Sequence, residues 1–391
     1  MSRARDMANL ASSAAAIQTV SALSTQVTDI QTAATNVSSG NTTGTNLVDN
    51  GAMAVDQRNS GSAVTPANTT VTYGPDRWYM YKNTAATFTI DQDTEAPEGF
   101  AYSLKVTNTG TDSSISATDR ALIVHRMEGN KIRFLDLGSS TAKQVTLSFY
   151  VRSSVTGTHG GAFRNHDSNQ RNYPFTYTIS SANTWERKTV TLTLDTSGTW
   201  PTDNTVALQI QFGLGVGTDF SATAGAWGDG DKNSATGATT AMLSTASATW
   251  YVTGIQLELG STANAFEHLS YADDLKRCLR YFYRLRKTNA YGEFVTIRTY
   301  SSDDGTGIIN FPQPMRAQPT LSIDKTVNST NFAYSLNSIA VAASDANVTQ
   351  IGIAAASSSA SAFVTGGGAT IQSNGASGAI DVSFNFSSEL A

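Results

Sequence analysis

Two short acidic runs have the residue types and spacing that could do chemistry: Asp91, Asp93 and Glu95, and Asp229 with Asp231. A pair of carboxylates can cleave a glycosidic bond, one as acid and the other as base or nucleophile. Alternate loop oxygens can also converge on a hard cation such as Ca²⁺. Neither run completes an EF-hand loop, and both lie among Gly, Thr and Asn, where solvent-exposed turns show the same pattern. The sequence also lacks a Walker loop, a dinucleotide fingerprint, a metalloprotease helix and a nucleophile elbow. Gly366-Gly367-Gly368 has neither the spacing nor the Lys of a phosphate loop. Cys278 is the only cysteine, which excludes an intrachain disulfide, and its helical setting suits an apolar filler better than a nucleophile. The expectation is a protein with no catalytic residue, no metal and no cofactor; glycan depolymerase is the enzymatic alternative.

Binding chemistry is easier to place. Sugars stack on exposed rings and exchange hydrogen bonds at their hydroxyls. Two segments offer both: His159 to His166, giving His159, Phe163 and His166 beside Tyr173, and Ala226 to Asp231, giving Trp227, Asp229 and Asp231. Both read as loops of a β protein, and a connection that merely covers a sheet edge would look the same. Residues Asn328 to Tyr334 are a competing distal loop.

The elements that must hold these residues follow from composition and period. Only 15% of the 391 residues are charged, against roughly 25% in ordinary soluble proteins, and Ser, Thr, Asn, Ala and Gly take their place. The 26 Lys and Arg are outnumbered by 31 Asp and Glu and form no basic block, so nucleic acid is not the expected partner. No run of about 18 apolar residues predicts membrane insertion, and the N-terminus lacks the apolar core of a signal peptide, which points to synthesis in a cytoplasm. From Ala4 to Val37 the chain lacks Gly and Pro, and Ala16, Val20, Leu23, Val27, Ile30, Ala34 and Val37 form a heptad seam that one helix cannot bury alone. After a Gly/Ser/Thr linker the period becomes two, in segments such as Val145–Val151, Val206–Phe212 and Trp250–Leu257, as expected of a jelly-roll β-sandwich. A helical period returns at Tyr271 to Arg286, capped by Ser270. Alternation then resumes to the end of the chain. The predicted architecture is mainly β: an N-terminal coiled-coil helix and linker over 1–45, a jelly-roll sandwich over 46–269, a connecting helix over 270–287 and a smaller C-terminal β domain over 288–391. Arg58 and Arg77, beside Asp56 and Asp76, are expected to form a structural ion-pair corner. Glu258 is expected to be solvated or to face another subunit.

Three passages resemble bacteriophage tail-fibre and related virion-fibre proteins, particularly those of marine and cyanobacterial phages. The first is Asn46-Leu47-Val48-Asp49-Asn50-Gly51 through Gln57-Arg58, followed by Tyr73-Gly74-Pro75-Asp76-Arg77-Trp78. The second is Val252-Thr253-Gly254-Ile255-Gln256-Leu257-Glu258-Leu259-Gly260, with Ala265-Phe266-Glu267-His268 and Cys278-Leu279-Arg280-Tyr281-Phe282. The third is Ile309-Asn310-Phe311-Pro312 with the closing Phe384-Asn385-Phe386-Ser387-Ser388-Glu389-Leu390. Asn59 stands where that family usually has Gly after Gln-Arg. The resemblance implies a homotrimeric virion component that contacts other tail proteins through its N-terminal helix and binds a host-surface glycan or protein. A capsid-decoration or tail-collar role without receptor binding is the alternative within that family; a secreted carbohydrate-binding module fits the heptad seam less well.

Overall fold

A computed structural model describes residues 45–166, 170–287, 293–299, 304–325, 336–342, 350–357, 368–372 and 382–390. The seam residues Val20, Leu23, Val27, Ile30, Ala34 and Val37 and the loop Asn328 to Tyr334 lie outside the described residues. Among those described, no helix is long and apolar enough to cross a membrane.

The alternating segments form thirteen strands: β1 (Thr72–Tyr73), β2 (Trp78–Asn83), β3 (Thr87–Asp93), β4 (Ser103–Gly110), β5 (Arg120–Glu128), β6 (Gln144–Ser153), β7 (Gly157–Arg164), β8 (Asn172–Ile179), β9 (Glu186–Thr193), β10 (Val206–Val216), β11 (Ser221–Ala222), β12 (Ser234–Ala235) and β13 (Thr249–Leu259). They make a six-stranded sheet ordered β1-β2-β5-β10-β7-β8 and a five-stranded one ordered β3-β4-β13-β6-β9, both antiparallel, with β11 and β12 as a short parallel pair beside them. Period-two patterning explains the packing, since each strand sends alternate residues inward. Phe212 of β10 is the hub. Its ring meets Phe149 at 5.0 Å and Trp250 at 5.6 Å, both from the opposite sheet, and Phe175 at 6.2 Å from its own. Burying such aromatic side chains contributes on the order of 2 to 3 kcal/mol each.

The helix begins where the sequence puts it, with Ser270 Oγ accepting from Asp273 N (3.2 Å), but it spans only Tyr271–Leu279. The remaining residues turn into β14 (Phe282–Lys287). The β-favouring run Tyr281-Phe282-Tyr283 and a full six-residue ladder offered by β21 (Val382–Ser387) outweigh the helical period there. Between them come β15 (Glu293–Thr299), β16 (Asp304–Asn310), β17 (Thr320–Lys325), β18 (Leu336–Ala342), β19 (Gln350–Ser357) and β20 (Gly368–Gln372). The C-terminal region thus holds a three-stranded sheet, β14-β21-β17, and a five-stranded one, β18-β19-β16-β15-β20.

The expected arginine corner exists, with Asp76 as expected and with Glu389, a partner the sequence did not suggest. Arg58 bonds Asp76 (3.3 Å) and Glu389 (2.9 Å), and Arg77 pairs with Glu389 while lying 3.4 Å above the Tyr281 ring. Asp56 instead accepts from the backbone N–H groups of Asn59 and Gly61. The corner is therefore a clasp between the start of the sandwich and the far end of the described chain. Glu258 also differs from expectation. It is buried, accepting from Asn264 N (2.9 Å), Asn264 Nδ2 (2.6 Å) and Gln256 Nε2 (3.1 Å), because the chain after β13 folds back over that face.

Candidate functional site: a cleft on the six-stranded sheet

The outward residues of the six-stranded sheet are set in rows by its register. Gln209 of β10 stands between Arg126 of β5 and Arg164 of β7; the next row is Tyr79, Val124, Gln211 and Ala162; the third is Tyr81, Leu122, Gly213 and Gly160. The third row ends in glycines for a steric reason. A Cβ on Gly160 would stand 2.3 Å from Ser234 Oγ, and one on Gly213 would stand 2.9 Å from the same atom. The loop carrying β12 lies on that bare backbone and covers one end of the face. What stays open is a cleft of about 240 Å³.

Its floor is Tyr79, Leu122, Val124, Gln209, Gln211 and Asn233, all buried; its rim is Val71, Tyr81, Arg120, Arg126, His166 and Asp231, more open to solvent. One hydrogen-bonded chain runs through it. Arg120 Nη1 donates to Asp231 Oδ2 (2.8 Å) and Asn233 Oδ1 (2.9 Å). Asn233 Nδ2 donates to Gln211 Oε1 (3.1 Å), Gln211 Nε2 donates to Gln209 Oε1 (2.6 Å), and Gln209 Nε2 meets His166 Nδ1 at 3.0 Å. Arg164 Nη2 reaches Asp231 Oδ1 at 3.0 Å. The arrangement fixes the side chains before any ligand arrives, which lowers the ordering cost of binding. Burial pushes the Asp231 carboxyl up, but the guanidiniums of Arg164 and Arg120 outweigh it and hold the group ionised below its usual range. Burial, with help from Arg126 and Arg164, lowers the His166 pKa and favours the neutral ring. Burial raises the Tyr79 hydroxyl to about 12.

Of the seven candidate binding residues, the cleft gathers two, His166 and Asp231. His159 and Phe163 lie in the core, because the segment read as a loop is strand β7: His159 stacks on Tyr177 (5.5 Å) and Phe163 packs against Phe175 (5.6 Å). Tyr173 and Trp227 sit together at 5.5 Å at the β8 edge, where Trp227 also meets Trp200 (5.6 Å) and donates to Thr193 O (2.8 Å). Asp229, exposed, pairs with Arg171 (2.8 Å) beside them. The other acidic run does not converge. Asp93 bonds Lys105 (2.7 Å), and Glu95 accepts from Trp185 Nε1 (3.2 Å). Among the described residues, no group of three or more His, Cys, Asp or Glu is placed to hold a metal ion.

A larger hollow of about 420 Å³ lies between Asn46, Glu128, Lys131, Arg277 and Arg280. Four of its five charges pair, Lys131 with Asp49 and Arg280 with Glu128 (2.5 Å), and Arg277 donates to the Asn46 backbone oxygen (3.2 Å), so its excess positive charge is smaller than that of the smaller cleft. Part of the signal for the cleft was in the sequence. Arg120 and Arg126, six positions apart, fall on one face of β5, and Gln209 and Gln211 fall on one face of a β10 that is otherwise apolar, a pattern that also suits a plain solvated face.

No protein-family model and no curated protein matches the chain. Among solved structures it is similar to a family 4 carbohydrate-binding module, with 14% identity over 55% of this chain and 99% of that one at a TM-score of 0.28. A family 11 carbohydrate-binding module from Clostridium thermocellum, in complex with a mixed-linked tetrasaccharide, shows 12% identity over 53% and 98% at 0.26. The enzymatically active domain of bacteriophage CBA120 tailspike protein 4 shows 12% identity over 55% of this chain and 21% of that one at 0.29. With every score below 0.5, the site rests on its own side chains.

Proposed function

We propose that the chain is a bacteriophage fibre protein that binds a host-surface glycan, without cleaving it, in the cleft of the six-stranded sheet. One observation carries the binding reading: a pre-ordered run of guanidinium, carboxylate, amide and imidazole groups beside Tyr81, in a hollow sized for one or two sugar rings. Amide and guanidinium groups complement vicinal hydroxyls, and the tyrosine face offers an apolar platform to a pyranose. The acids Asp93, Asp229 and Asp231 each have a cationic partner, which supports binding over catalysis. The fibre reading, with a homotrimer joined through the 1–45 segment and exposed on the virion, rests on the heptad seam Val20 to Val37 and on the three sequence passages.

The test is a glycan-binding measurement on the intact protein and on Tyr81→Ala. Affinity should fall about tenfold or more, as expected where a ring-stacking contact is lost. Melting temperature should fall by only a few degrees, since Tyr81 is half-buried against Tyr79, Leu122 and Val124 and the protein stays folded. Unchanged glycan affinity in Tyr81→Ala would remove the cleft as the site. Immunogold labelling of particles addresses the fibre reading separately: label confined to the capsid would overturn it.

A further inference from the structure

Building on the glycan reading of the cleft, we infer that its ligand is acidic, a saccharide whose carboxylate or sulfate is held between Arg126 and Arg164. The cleft gathers three guanidiniums against one carboxylate, in a chain whose net charge is −5. Asp231 is shared by Arg120 (2.8 Å) and Arg164 (3.0 Å), so one negative charge serves two cations. Arg126 has no carboxylate partner among the described residues: its Nη1 donates to the backbone oxygen of Leu390, and its guanidinium stands 5.0 Å from the Tyr79 ring. Arg126 and Arg164 flank Gln209 in one row of the sheet, so their guanidiniums project from the same line across three strands.

Burial makes the excess charge informative. Arg164 is 8% exposed, and the Nε atoms of Arg120, Arg126 and Arg164 are all buried without a hydrogen-bond partner. Guanidiniums gathered with fewer carboxylates than they could pair cost folding free energy when partly desolvated, and a bound anion restores the charge balance. Arginine, with its fixed fork of donors, takes a carboxylate or sulfate in two parallel hydrogen bonds, whereas a neutral sugar offers it only hydroxyls. Carboxylate-bearing and sulfated sugars share this chemistry, and a nucleic acid would need a basic track extending beyond one hollow.

Calorimetry with the full chain distinguishes these ligands. The probes are a galacturonic acid trisaccharide, a sulfated disaccharide, a neutral glucose trisaccharide and a short single-stranded oligonucleotide. One of the two acidic sugars should bind at least tenfold tighter than the neutral one, and raising salt from 50 to 500 mM should weaken it several-fold. Arg126→Gln should lower acidic-sugar affinity far more than neutral-sugar affinity, so that the preference disappears, and Arg126→Lys should restore part of it. Equal, salt-insensitive affinity for neutral and acidic sugars would overturn this inference and leave the glycan reading standing. Binding of the oligonucleotide alone, or of no probe, would count against both.

Discussion

At the scale of single residues, two buried carboxylates, Asp49 and Asp76, pull the pH dependence of stability in opposite directions. Asp49 is pushed up by burial but more strongly lowered by Lys131 and Arg77, to about 2. Its folded pKa lies below the unfolded one, so it adds stability as pH rises from about 2 to 4. Asp76 is raised by burial to about 6 despite Arg58 and Gln57. The folded state then keeps a proton the unfolded chain has released, so stability falls as pH climbs from about 4 to 6, by about 3 kcal/mol in all. Melting temperatures across this range should decline for the wild type and stay nearly flat for Asp76→Asn; a parallel decline in the variant would assign the effect to another group. The Asp49 N–H donates to His125 Nε2 (3.3 Å), and burial drives that ring's pKa well down, so His125 works as a neutral acceptor.

At the scale of elements, the register of β5, β10 and β7 decides what the outer face can do, and glycine decides where it is covered. Gly160→Ala places a methyl against Ser234 Oγ and the Ala238 side chain (2.9 Å), so the 217–240 loop must lift. A destabilisation of about 1 to 3 kcal/mol in urea unfolding is expected, with weaker glycan binding because Asp231 and Asn233 move with the loop. A variant with normal stability and affinity would show that the loop does not depend on that contact. The sequence made most strands legible, because inward residues such as Val145, Leu147 and Phe149 alternate cleanly with polar ones. It did not make β7 legible: two adjacent glycines look like a loop, yet here they admit Ser234 on one side and Gln211 O on the other. Nor did it separate helix from strand after Leu279, where pairing with β21, a hundred residues away, decides the outcome. The cleft itself stayed hidden because its groups come from five separated stretches that only sheet order unites.

At the scale of the whole molecule, the end of the described chain is built into the sandwich. Arg316 donates to Ser388 O (2.6 Å) and Glu389 O (3.0 Å), Arg126 reaches Leu390 O, and the Glu389 side chain, 8% exposed, joins Arg58 and Arg77. Glu389→Gln leaves the buried Arg77 with Asp49 at 3.7 Å as its remaining carboxylate. A loss of roughly 3 kcal/mol is expected, since breaking one side of a buried pair strands the other charge. Lys143→Ala, which removes a half-exposed pair with Asp136, should cost under about 1 kcal/mol. Similar losses for the two variants in denaturant titration would refute the clasp. The clasp also links folding to the order of synthesis. Arg77 and Glu389 are 312 positions apart. A ribosome adding roughly 5 to 20 residues per second leaves an interval on the order of ten seconds between the last strand of the sandwich and this glutamate. Throughout it Arg77 has Asp49, at 3.7 Å, but not yet Glu389 as a carboxylate partner, so translation itself sets when this protein can reach its full stability.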